Sequence, residues 1–393
     1  MVDDRGAEGA LLLRGGRVID PAQGLDGPLD VRLRAGRVEA VGPDLAADGA
    51  AVLDVAGLLV LPGLVDGHVH CFHGQGRELE PDLVGVSRGV TTVVDAGSSG
   101  HAAFPLFRDQ VMARAKTRVL AYVHLSTLGG LVGASYANLA DPRLIDPDGI
   151  AATVAANPAR VVGIKVHAIT GCMGPLGLEP LRRARALADQ LGTRLMVHVG
   201  ETWSQEPAKP IHQVVEFLQP GDILTHVYTA QRGGLLDGTD QLHPAVREAR
   251  DRGVRFDVGH GNSNLNWDVA QRLLDMGFLP DSVSTDGSQR NLYQVTWDLP
   301  TVMSKLLALG IPLVDLVAMA TCNAAAQIGR GDELGSLAVG RVADVSVLRL
   351  EEREWTALDS QREERVLRQR LVPVLTVRAG EVIGPRALEA RHL

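Results

Sequence analysis

The sequence predicts an α/β protein, a (β/α)8 TIM barrel accompanied by a small β-sandwich that the N- and C-terminal segments form together. Three observations support this prediction. Eight short apolar strands alternate with amphipathic helices in the middle of the chain, and both ends are rich in strands without helices. The chain has 393 residues, more than the roughly 250 of a typical barrel. We therefore expect a catalytic barrel over 62–330 and a sandwich built from 1–61 plus 331–393.

The terminal segments consist of short strands separated by Gly, Pro and Asp. The N-terminal part contains LLLRGGRVID, LDVRLRAGRVEAVG and AAVLDVAGLLVL, and a similar pattern returns in GSLAVGRVADVSVLRL and RVLRQRLVPVLTVRAGEVIG. Because these stretches have no helical period of useful length, they favour a small antiparallel sheet. Distant segments can share a sheet while a barrel is inserted between them, so we expect the two ends to pair.

The middle of the chain supplies eight strand candidates, which in order are GLVDGHVH, TTVVDAG, RVLAYVHLS, VVGIKVHA, RLMVHVG, DILTHVY, RFDVGHG and SVSTDGS. Between them lie helix candidates such as EPLRRARALADQLG, HPAVREARDRG and NWDVAQRLLDMG, with apolar residues at helical spacing and Gly just past the end. Eight strand-then-helix repeats are the number of a TIM barrel, whose catalytic groups lie at the C-terminal ends of the strands.

The first of these strands ends in two histidines, within LPGLVDGHVHC. Alternate residues of a strand share a face, so His68 and His70 are expected to point the same way. Two neutral imidazoles on one side of a strand end can chelate a divalent cation. An isolated pair of this kind is as often two ordinary strand histidines, so the interpretation depends on the other strands.

The ends of four later strands supply four more side chains of this kind: Lys165, His198, His226 and Asp286. A strand buried on both faces should be apolar throughout, so polar groups at its exit indicate a site at the barrel mouth. We expect His68, His70 and Asp286 to bind one metal ion, and His198 and His226 to complete a second. Such ligands suit Zn²⁺, with Mn²⁺, Fe²⁺ or Co²⁺ as alternatives.

Lys165 fits this set only after a chemical change, because an ammonium group has no lone pair for a metal ion. An amine that has reacted with CO₂ becomes a carbamate, an anionic ligand with two oxygens that can bridge two cations. The alternative is a lysine paired with a carboxylate. The surrounding histidines favour the bridging carbamate.

Composition excludes several other classes of protein. The net charge is −8, and no cluster of Lys and Arg with interleaved aromatics is present, so we expect no nucleic-acid partner. No uncharged apolar run approaches the roughly 20 residues of a membrane span, and the N-terminus MVDDRGAEGA is unlike a secretory signal. We expect a cytoplasmic protein that forms a homo-oligomer and acts on a small-molecule substrate.

These motifs together resemble the amidohydrolase superfamily over essentially the whole chain. PGLVDGHVH and the later Lys, His, His and Asp carry the resemblance, together with GSLAVGRVADV near the end. More narrowly, VVDAGSSG, HLSTLG, GIKV, DILTHVY, RFDVGHG, PDSVSTD and DLPTVMSKLLALG are similar to the amidohydrolase/deacetylase metallohydrolases, with dihydroorotase and D-aminoacylase as more distant relatives. The loops GETWSQEPAKP after His198 and Gly-Ser-Gln after Asp286 depart from that branch, which leaves the substrate open.

The resemblance implies a binuclear centre bridged by carboxylated Lys165 and a hydroxide, with Asp286 as the proton shuttle. Two cations give hydroxide near neutral pH and polarise a carbonyl, and Asp286 can take the proton and return it to the leaving group. The expected reaction is cleavage of an amide or ester in an N-acyl amino acid, an acyl-hydroxy acid or a cyclic amide.

Further polar residues at the strand ends are expected near the substrate. His260 resembles a family position that contacts the substrate, and we predict a catalytic role for it, the alternative being an imidazole packed between loops. We predict weaker substrate contacts for residues whose alternative roles are turns, packing or solvated loops: Ser98, Ser99, His124, His167, Arg290 and Asn291.

Two other functions remain open. His198-Val-Gly-Glu201 resembles a segment of purine deaminases in which a nearby glutamate protonates the ring, although such sites use one metal and do not need Lys165. A non-catalytic protein on the same scaffold is disfavoured, because such proteins typically lose metal ligands and all six positions are occupied here.

Overall fold

The structure is a computed structural model that describes residues 9–73, 78–132 and 137–384. The outer ends of the predicted terminal domain, 1–8 and 385–393, lie outside the described residues.

The N-terminal segment forms strands of a mainly antiparallel sheet: β1 (Leu11–Asp20), β2 (Leu25–Arg34), β3 (Arg37–Gly42), β4 (Ala51–Asp54) and β5 (Leu59–Pro62). The neighbours β1 and β2 pair antiparallel, as do β2 and β3. The later strands β4 and β5 both run parallel to β1.

The middle of the chain forms a parallel sheet: β6 (Leu64–Val69), β7 (Val90–Ala96), β8 (Arg118–His124), β9 (Val161–His167), β10 (Leu195–His198), β11 (Ile223–Thr225) and β12 (Arg255–Asp257). Each strand pairs in parallel with the next one along the chain. The C-terminal ends of these strands therefore meet at one edge of the sheet.

The predicted eighth strand pairs less regularly than the others. In the segment 282–287, Ser282 forms a parallel bridge with Asp257 after β12, and Gly287 forms one with Val69 of β6. The sheet therefore curls until this segment contacts both of its edges. Regular pairing stops because the N–H of Thr285 donates to the Asp66 carboxylate at 3.0 Å and not to a strand carbonyl. Eight strands were predicted, and the described residues form seven plus this bridging segment.

The C-terminal segment returns to the first sheet with β13 (Val345–Leu358), β14 (Glu364–Arg378) and β15 (Glu381–Ile383). Antiparallel pairing of β13 with β5 joins the two ends of the chain. The resulting order is β15-β14-β13-β5-β1-β2-β3, with β4 beside β1. The two ends therefore share one hydrogen-bonded sheet, whereas a separate two-layer sandwich stays a prediction.

The three helices predicted from periodicity are present, each ending near the expected residue. One is followed by Gly192 in the left-handed conformation, and another begins after Asn266, whose side chain accepts hydrogen bonds from two backbone N–H groups. The α-helices of the described residues are α1 (Pro81–Val84), α2 (Phe104–Phe107), α3 (Pro147–Ala156), α4 (Thr170–Met173), α5 (Glu179–Leu191), α6 (Ile211–Val215), α7 (Pro244–Asp251), α8 (Trp267–Asp275), α9 (Leu299–Ala308), α10 (Leu313–Ala320) and α11 (Cys322–Gln327).

Apolar side chains pack in three clusters. The largest lies among the parallel strands and the helices around them, and a second lies within the terminal sheet. The third gathers side chains of β6 to β11 with Ala324 and Ile328, in and just after α11. In the described part of the chain, no helix is both long and apolar enough to cross a membrane.

Candidate metal centre

Four imidazole rings gather at the C-terminal edge of the parallel sheet. The ring centroids of His68 and His70 are 5.7 Å apart, and those of His68 and His226 are 5.2 Å apart. His198 and His226 lie closest together, with centroids 4.3 Å apart. The two histidines predicted for one metal ion and the two predicted for the other therefore lie side by side.

Lys165 and Asp286 complete the group. The Nζ of Lys165 lies 3.2 Å from Nε2 of His68. The Oδ1 of Asp286 lies 3.4 Å from the same nitrogen and 3.1 Å from Nε2 of His70. Ligand atoms of His68, His226 and Asp286 all lie within 4.8 Å of one another, a spacing that a metal ion can fill. The structure thus brings all six predicted ligands to one place.

The orientation of His68 is set by a hydroxyl and a carboxylate. Thr225 donates its only hydroxyl proton to Oδ2 of Asp257 at 2.8 Å, so its oxygen accepts from Nδ1 of His68 at 3.1 Å. This leaves Nε2 of His68 without a proton and facing the other candidate ligands. Burial lowers the pKa of His68 well below its usual value, which keeps the ring neutral.

His226 and His198 present unpaired nitrogens to the same space. Nδ1 of His226 donates to the carbonyl of Gly259 at 2.7 Å, so its Nε2 carries no proton. Within the part of the chain that the structure describes, the Nε2 atoms of both His198 and His226 are buried without a hydrogen-bond partner. Burial lowers the pKa of His198 to about 3 and that of His226 well below its usual value. Buried nitrogens of this kind normally have a partner, and a cation would supply one.

His70 is held from both sides. Its Nδ1 lies 3.0 Å from the hydroxyl of Ser98, and its Nε2 lies 3.1 Å from Asp286. Burial alone would lower the pKa of His70, but the contact with the Asp286 carboxylate more than offsets this and raises it. His70 is therefore held between the hydroxyl of Ser98 and the carboxylate of Asp286.

Lys165 is fully buried in the middle of β9. Burial lowers its pKa to about 8, which increases the neutral fraction of the amine. The neighbouring Gly97 makes room for it: a Cβ at that position would lie 2.8 Å from Cβ of Lys165, and its φ of +83° suits glycine.

A cavity of about 300 Å³ opens above these residues, at the lower end of the size range for small-molecule sites. Its walls come from loops that follow the strands, including Trp203 after β10, whose ring stacks on His198 with centroids 5.8 Å apart. The polar side chains that line it include Glu78, Asn138, Thr202, Asn262, Ser263, Asn264 and Ser288.

Three of the predicted substrate contacts line this cavity. His167 lies beside His198, with ring centroids 4.9 Å apart. Arg290 is exposed and, within the described residues, has no carboxylate within ion-pair distance. Asn291 also lines the cavity, but its amide donates to the carbonyl of Asp286 at 2.7 Å and accepts from the N–H of Ser288 at 2.8 Å. Asn291 therefore holds the loop after Asp286.

The other predicted contacts do not line the cavity. The N–H of Ser98, expected to bind an anion, donates to Asp95, and the hydroxyl of Ser99 donates to a backbone carbonyl. His124 is buried behind His167 and bonded to it at 2.9 Å. Direct contact of Ser98, Ser99 or His124 with a substrate is therefore not supported, although Ser98 and His124 each hold a histidine that faces the cavity.

His260, expected to be catalytic, is buried away from the cavity. Its Nδ1 donates to the carbonyl of Gly261 at 2.9 Å, and its Nε2 accepts from the Nζ of Lys305 at 2.9 Å. Both ring nitrogens are thus occupied by protein groups. The alternative of an imidazole packed between loops describes its environment better than the predicted substrate contact.

Glu201, on which the deaminase alternative depended, is a loop-forming residue. One carboxylate oxygen accepts from the N–H groups of Trp203 and Ser204, and the other accepts from that of Gly171. Its carboxylate therefore ties α4, which follows β9, to the loop after β10, and it is not among the residues that line the cavity.

Sequence reasoning missed the residues that orient the candidate ligands, above all Thr225 and Asp257. Asp257 accepts hydroxyl protons from Thr225, Ser282 and Ser284, at 2.7 to 2.8 Å. Burial raises its pKa above the usual value. The sequence does contain a signal for Asp257, because an acidic residue inside the apolar strand RFDVGHG is unusual. No role was predicted for it.

A curled parallel sheet with histidines, a lysine and an aspartate at its C-terminal edge defines a class of metal-dependent hydrolases, and comparison with known proteins agrees. Residues 59–383 match the family described as amidohydrolase family. The chain belongs to the amidohydrolase family and is a hydrolase that acts on C–N bonds.

Individual relatives span nearly the whole chain. A deacetylase of Brucella anthropi is 34% identical over 350 residues, which are 88% of this chain and 86% of the relative. A crystal structure of a dihydroorotase superposes with a TM-score of 0.88 at 31% identity, covering 98% of this chain and all of the other. A crystal structure of an adenine deaminase also gives 0.88, at 29% identity, covering 95% of this chain and 99% of the other.

Proposed function

We propose that the protein is a binuclear metal-dependent hydrolase that cleaves an amide or ester bond in a small carboxylate-bearing substrate. The substrate classes are an N-acyl amino acid, an acyl-hydroxy acid or a cyclic amide. The observation that carries the proposal is the pair of buried Nε2 atoms of His198 and His226. Among the described residues they have no hydrogen-bond partner, and they lie beside the deprotonated Nε2 of His68.

The chemistry of the six side chains supports a centre of two divalent cations. His68, His70 and Asp286 would hold one, and His198 and His226 the other, a donor set that suits Zn²⁺, with Mn²⁺, Fe²⁺ or Co²⁺ as alternatives. Lys165, buried at the centre of the group, would bridge them as its CO₂-derived carbamate. When bound, such cations lower the pKa of a water molecule and polarise a substrate carbonyl.

Asp286 is the proton carrier in this proposal. As water adds to the carbonyl carbon, one O–H bond breaks and the carboxylate of Asp286 takes the proton. When the bond to the leaving nitrogen or oxygen breaks, Asp286 returns that proton to the leaving atom, so the carboxylate ends the reaction as it began. Asn291 holds the backbone of Asp286 at 2.7 Å, and this fixes where the carboxylate can reach.

Arg290 is the proposed partner of the substrate carboxylate. Its guanidinium lines the cavity and has no ion-pair partner within the part of the chain that the structure describes. A planar guanidinium can bind a carboxylate through two parallel hydrogen bonds. The cavity of about 300 Å³ admits a small molecule, which agrees with the proposed substrate classes.

The similarity to a solved adenine deaminase raises the deaminase alternative again. In this chain the residue expected to protonate a purine, Glu201, accepts three backbone hydrogen bonds. These bonds hold the carboxylate within its own loop, and it does not line the cavity, so it is not placed to reach a bound purine. Amide or ester hydrolysis is therefore the better proposal.

The wider architecture belongs to the same proposal. The bridges of 282–287 to both edges of the parallel sheet support a closed eight-stranded barrel over 62–330. The shared sheet of the two ends supports a second domain of 1–61 plus 331–393. We further propose a cytoplasmic homo-oligomer without nucleic-acid or membrane partners.

Metal analysis combined with a substrate screen tests this function. The purified protein, from growth with added Zn²⁺ or Mn²⁺, is expected to contain two equivalents of metal. It should hydrolyse members of a panel of N-acyl amino acids, acyl-hydroxy acids and cyclic imides. Fewer than two equivalents, or release of ammonia from an aminopurine instead, would contradict the proposal.

The bridging role of Lys165 has its own test. Lys165→Ala should lose bound metal and activity, and short carboxylates added to the solution should restore part of both by occupying the vacated space. Lys305→Ala, which removes a second buried lysine outside the metal centre, is the matched control and should keep its metal. Full metal content and full activity in Lys165→Ala would refute the bridge.

A further inference from the structure

A chain of hydrogen bonds runs from the backbone through two buried histidines to the cavity. The N–H of Ser126 donates to Nδ1 of His124 at 2.9 Å. A backbone N–H can only donate, so this Nδ1 carries no proton and neutral His124 carries its proton on Nε2. That Nε2 lies 2.9 Å from Nδ1 of His167.

The order of donors fixes the proton on His167 as well. Because Nε2 of His124 donates, Nδ1 of His167 must accept, and neutral His167 carries its proton on Nε2. Protonation of both nitrogens of His167 would place two N–H groups head to head across 2.9 Å. The hydrogen bond from Ser126 thus makes Nδ1 of His167 an acceptor and leaves its Nε2–H, which has no acceptor among the described residues, as the donor.

This free N–H belongs to a ring on the cavity wall. His167 lines the cavity, and its ring centroid lies 4.9 Å from that of His198 and 6.3 Å from that of Trp203. Nδ1 is occupied by His124, so Nε2–H is the group that His167 can offer to a bound molecule. A donor here stands next to one of the proposed metal ligands, where a substrate carbonyl would bind.

We propose that His167 donates a hydrogen bond from Nε2 to the substrate carbonyl oxygen, which gains negative charge as water adds, and that His124 is the positioning residue that holds this donor in place. The proposal rests on the proposed function, because it assigns a role within that site. A donor locked before the substrate arrives needs no reorganisation during the reaction, which is how fixed dipoles stabilise a developing oxyanion.

Two substitutions at 167 test the donor. His167→Phe keeps a planar ring but has no N–H, and we expect kcat to fall roughly 100-fold with a much smaller change in KM. His167→Gln places an amide NH₂ near the former Nε2 and should recover most of that loss. Metal content should equal that of the wild type in both variants. Equal kcat values for Phe, Gln and wild type would overturn the proposal.

A spectroscopic test of the lock does not depend on activity. Long-range ¹H–¹⁵N spectra of the zinc-loaded protein with labelled histidine should show His167 protonated on Nε2 and His124 protonated on Nε2. In His124→Phe, which removes the donor to His167, the His167 signals should shift towards a mixture of tautomers. His167 protonated on Nδ1 in the wild type would refute the lock, whether or not a substrate has been found. Absence of metal and of hydrolysis would instead refute the proposed function.

Discussion

Replacing Thr225 by Val tests whether the outer hydrogen bonds set the metal affinity. Val matches the shape of Thr but lacks the hydroxyl that accepts from Nδ1 of His68 at 3.1 Å and donates to Asp257 at 2.8 Å. The variant leaves the Nδ1–H of His68 without that acceptor. The proton is then free to move to Nε2, where it would block metal binding.

The size of the effect follows from the burial of these groups. His68, Thr225 and Asp257 are all buried, so water cannot replace the lost bonds. An unsatisfied buried donor costs about 1–3 kcal/mol. At about 1.4 kcal/mol for each tenfold change, this corresponds to a loss of affinity of roughly 5- to 150-fold. Loss of an outer hydrogen-bond partner of a metal ligand typically costs about 10- to 100-fold, which agrees.

Competition with a chelator measures this loss. Zinc-loaded wild type, Thr225→Val and Thr225→Ser are titrated with a chelator of known affinity while the retained metal is counted. Thr225→Ser keeps the hydroxyl and should hold zinc nearly as well as the wild type, whereas Thr225→Val should release it at lower chelator concentrations. If Thr225→Val retained zinc as tightly as Thr225→Ser, either His68 would not be a ligand or its tautomer would not depend on Thr225.

Three further predictions follow from the same geometry. In Gly261→Ala, a Cβ would lie 2.3 Å from Oδ2 of Asp286, so kcat should fall at least tenfold, as expected for a displaced proton carrier. Gly277→Ala, equally strained at φ +73° but in open space, should keep kcat, and equal kcat in both would refute the displacement. Arg290→Gln should raise KM for a carboxylate substrate about 10-fold without changing the melting temperature, and an unchanged KM would exclude the ion pair. Burial lowers the pKa of Lys305 to about 7, so between pH 7 and about 10 the unfolded chain holds a proton that the folded chain has lost. Stability to urea should therefore rise with pH over that range, and Lys305→Met should flatten the rise; identical slopes would show that Lys305 stays charged.

The group of candidate ligands was predictable because their chemistry and their position reinforce each other. Polar residues inside apolar strands are costly unless they have a role, and the ends of parallel strands meet at one edge. These two rules alone predict that His68, Lys165 and Asp286 lie at one site, although the first and the last are more than 200 residues apart in the chain. The strand count was less predictable, because side-chain bonds such as that of Asp66 to Thr285 replace regular pairing in the last segment.

The supporting residues were not predictable for a different reason. Ser98, expected near the substrate, instead holds His70, and His260, expected to be catalytic, is bonded to Lys305. The type of these residues and their position at strand ends are compatible both with substrate contact and with a supporting role. Only the hydrogen-bond partner of each side chain distinguishes the two roles. That partner comes from elsewhere in the chain, as Lys305 of α9 does for His260, and no local pattern contains it.

Asp257 connects parts of the site that the sequence keeps apart. Through Thr225 its carboxylate orients His68, while its backbone carbonyl accepts from the N–H of His226 at 3.0 Å. His226 has a φ of +78°, a left-handed conformation that costs a non-glycine residue roughly 1 kcal/mol or more, so this bond helps to hold a strained ligand. The hydroxyls of Ser282 and Ser284 bind the same carboxylate and tie it to the segment that carries Asp286. One buried carboxylate thus fixes a ligand of each proposed metal ion and the segment of the proton carrier, so loss of Asp257 should disturb the centre more than loss of any single outer hydroxyl.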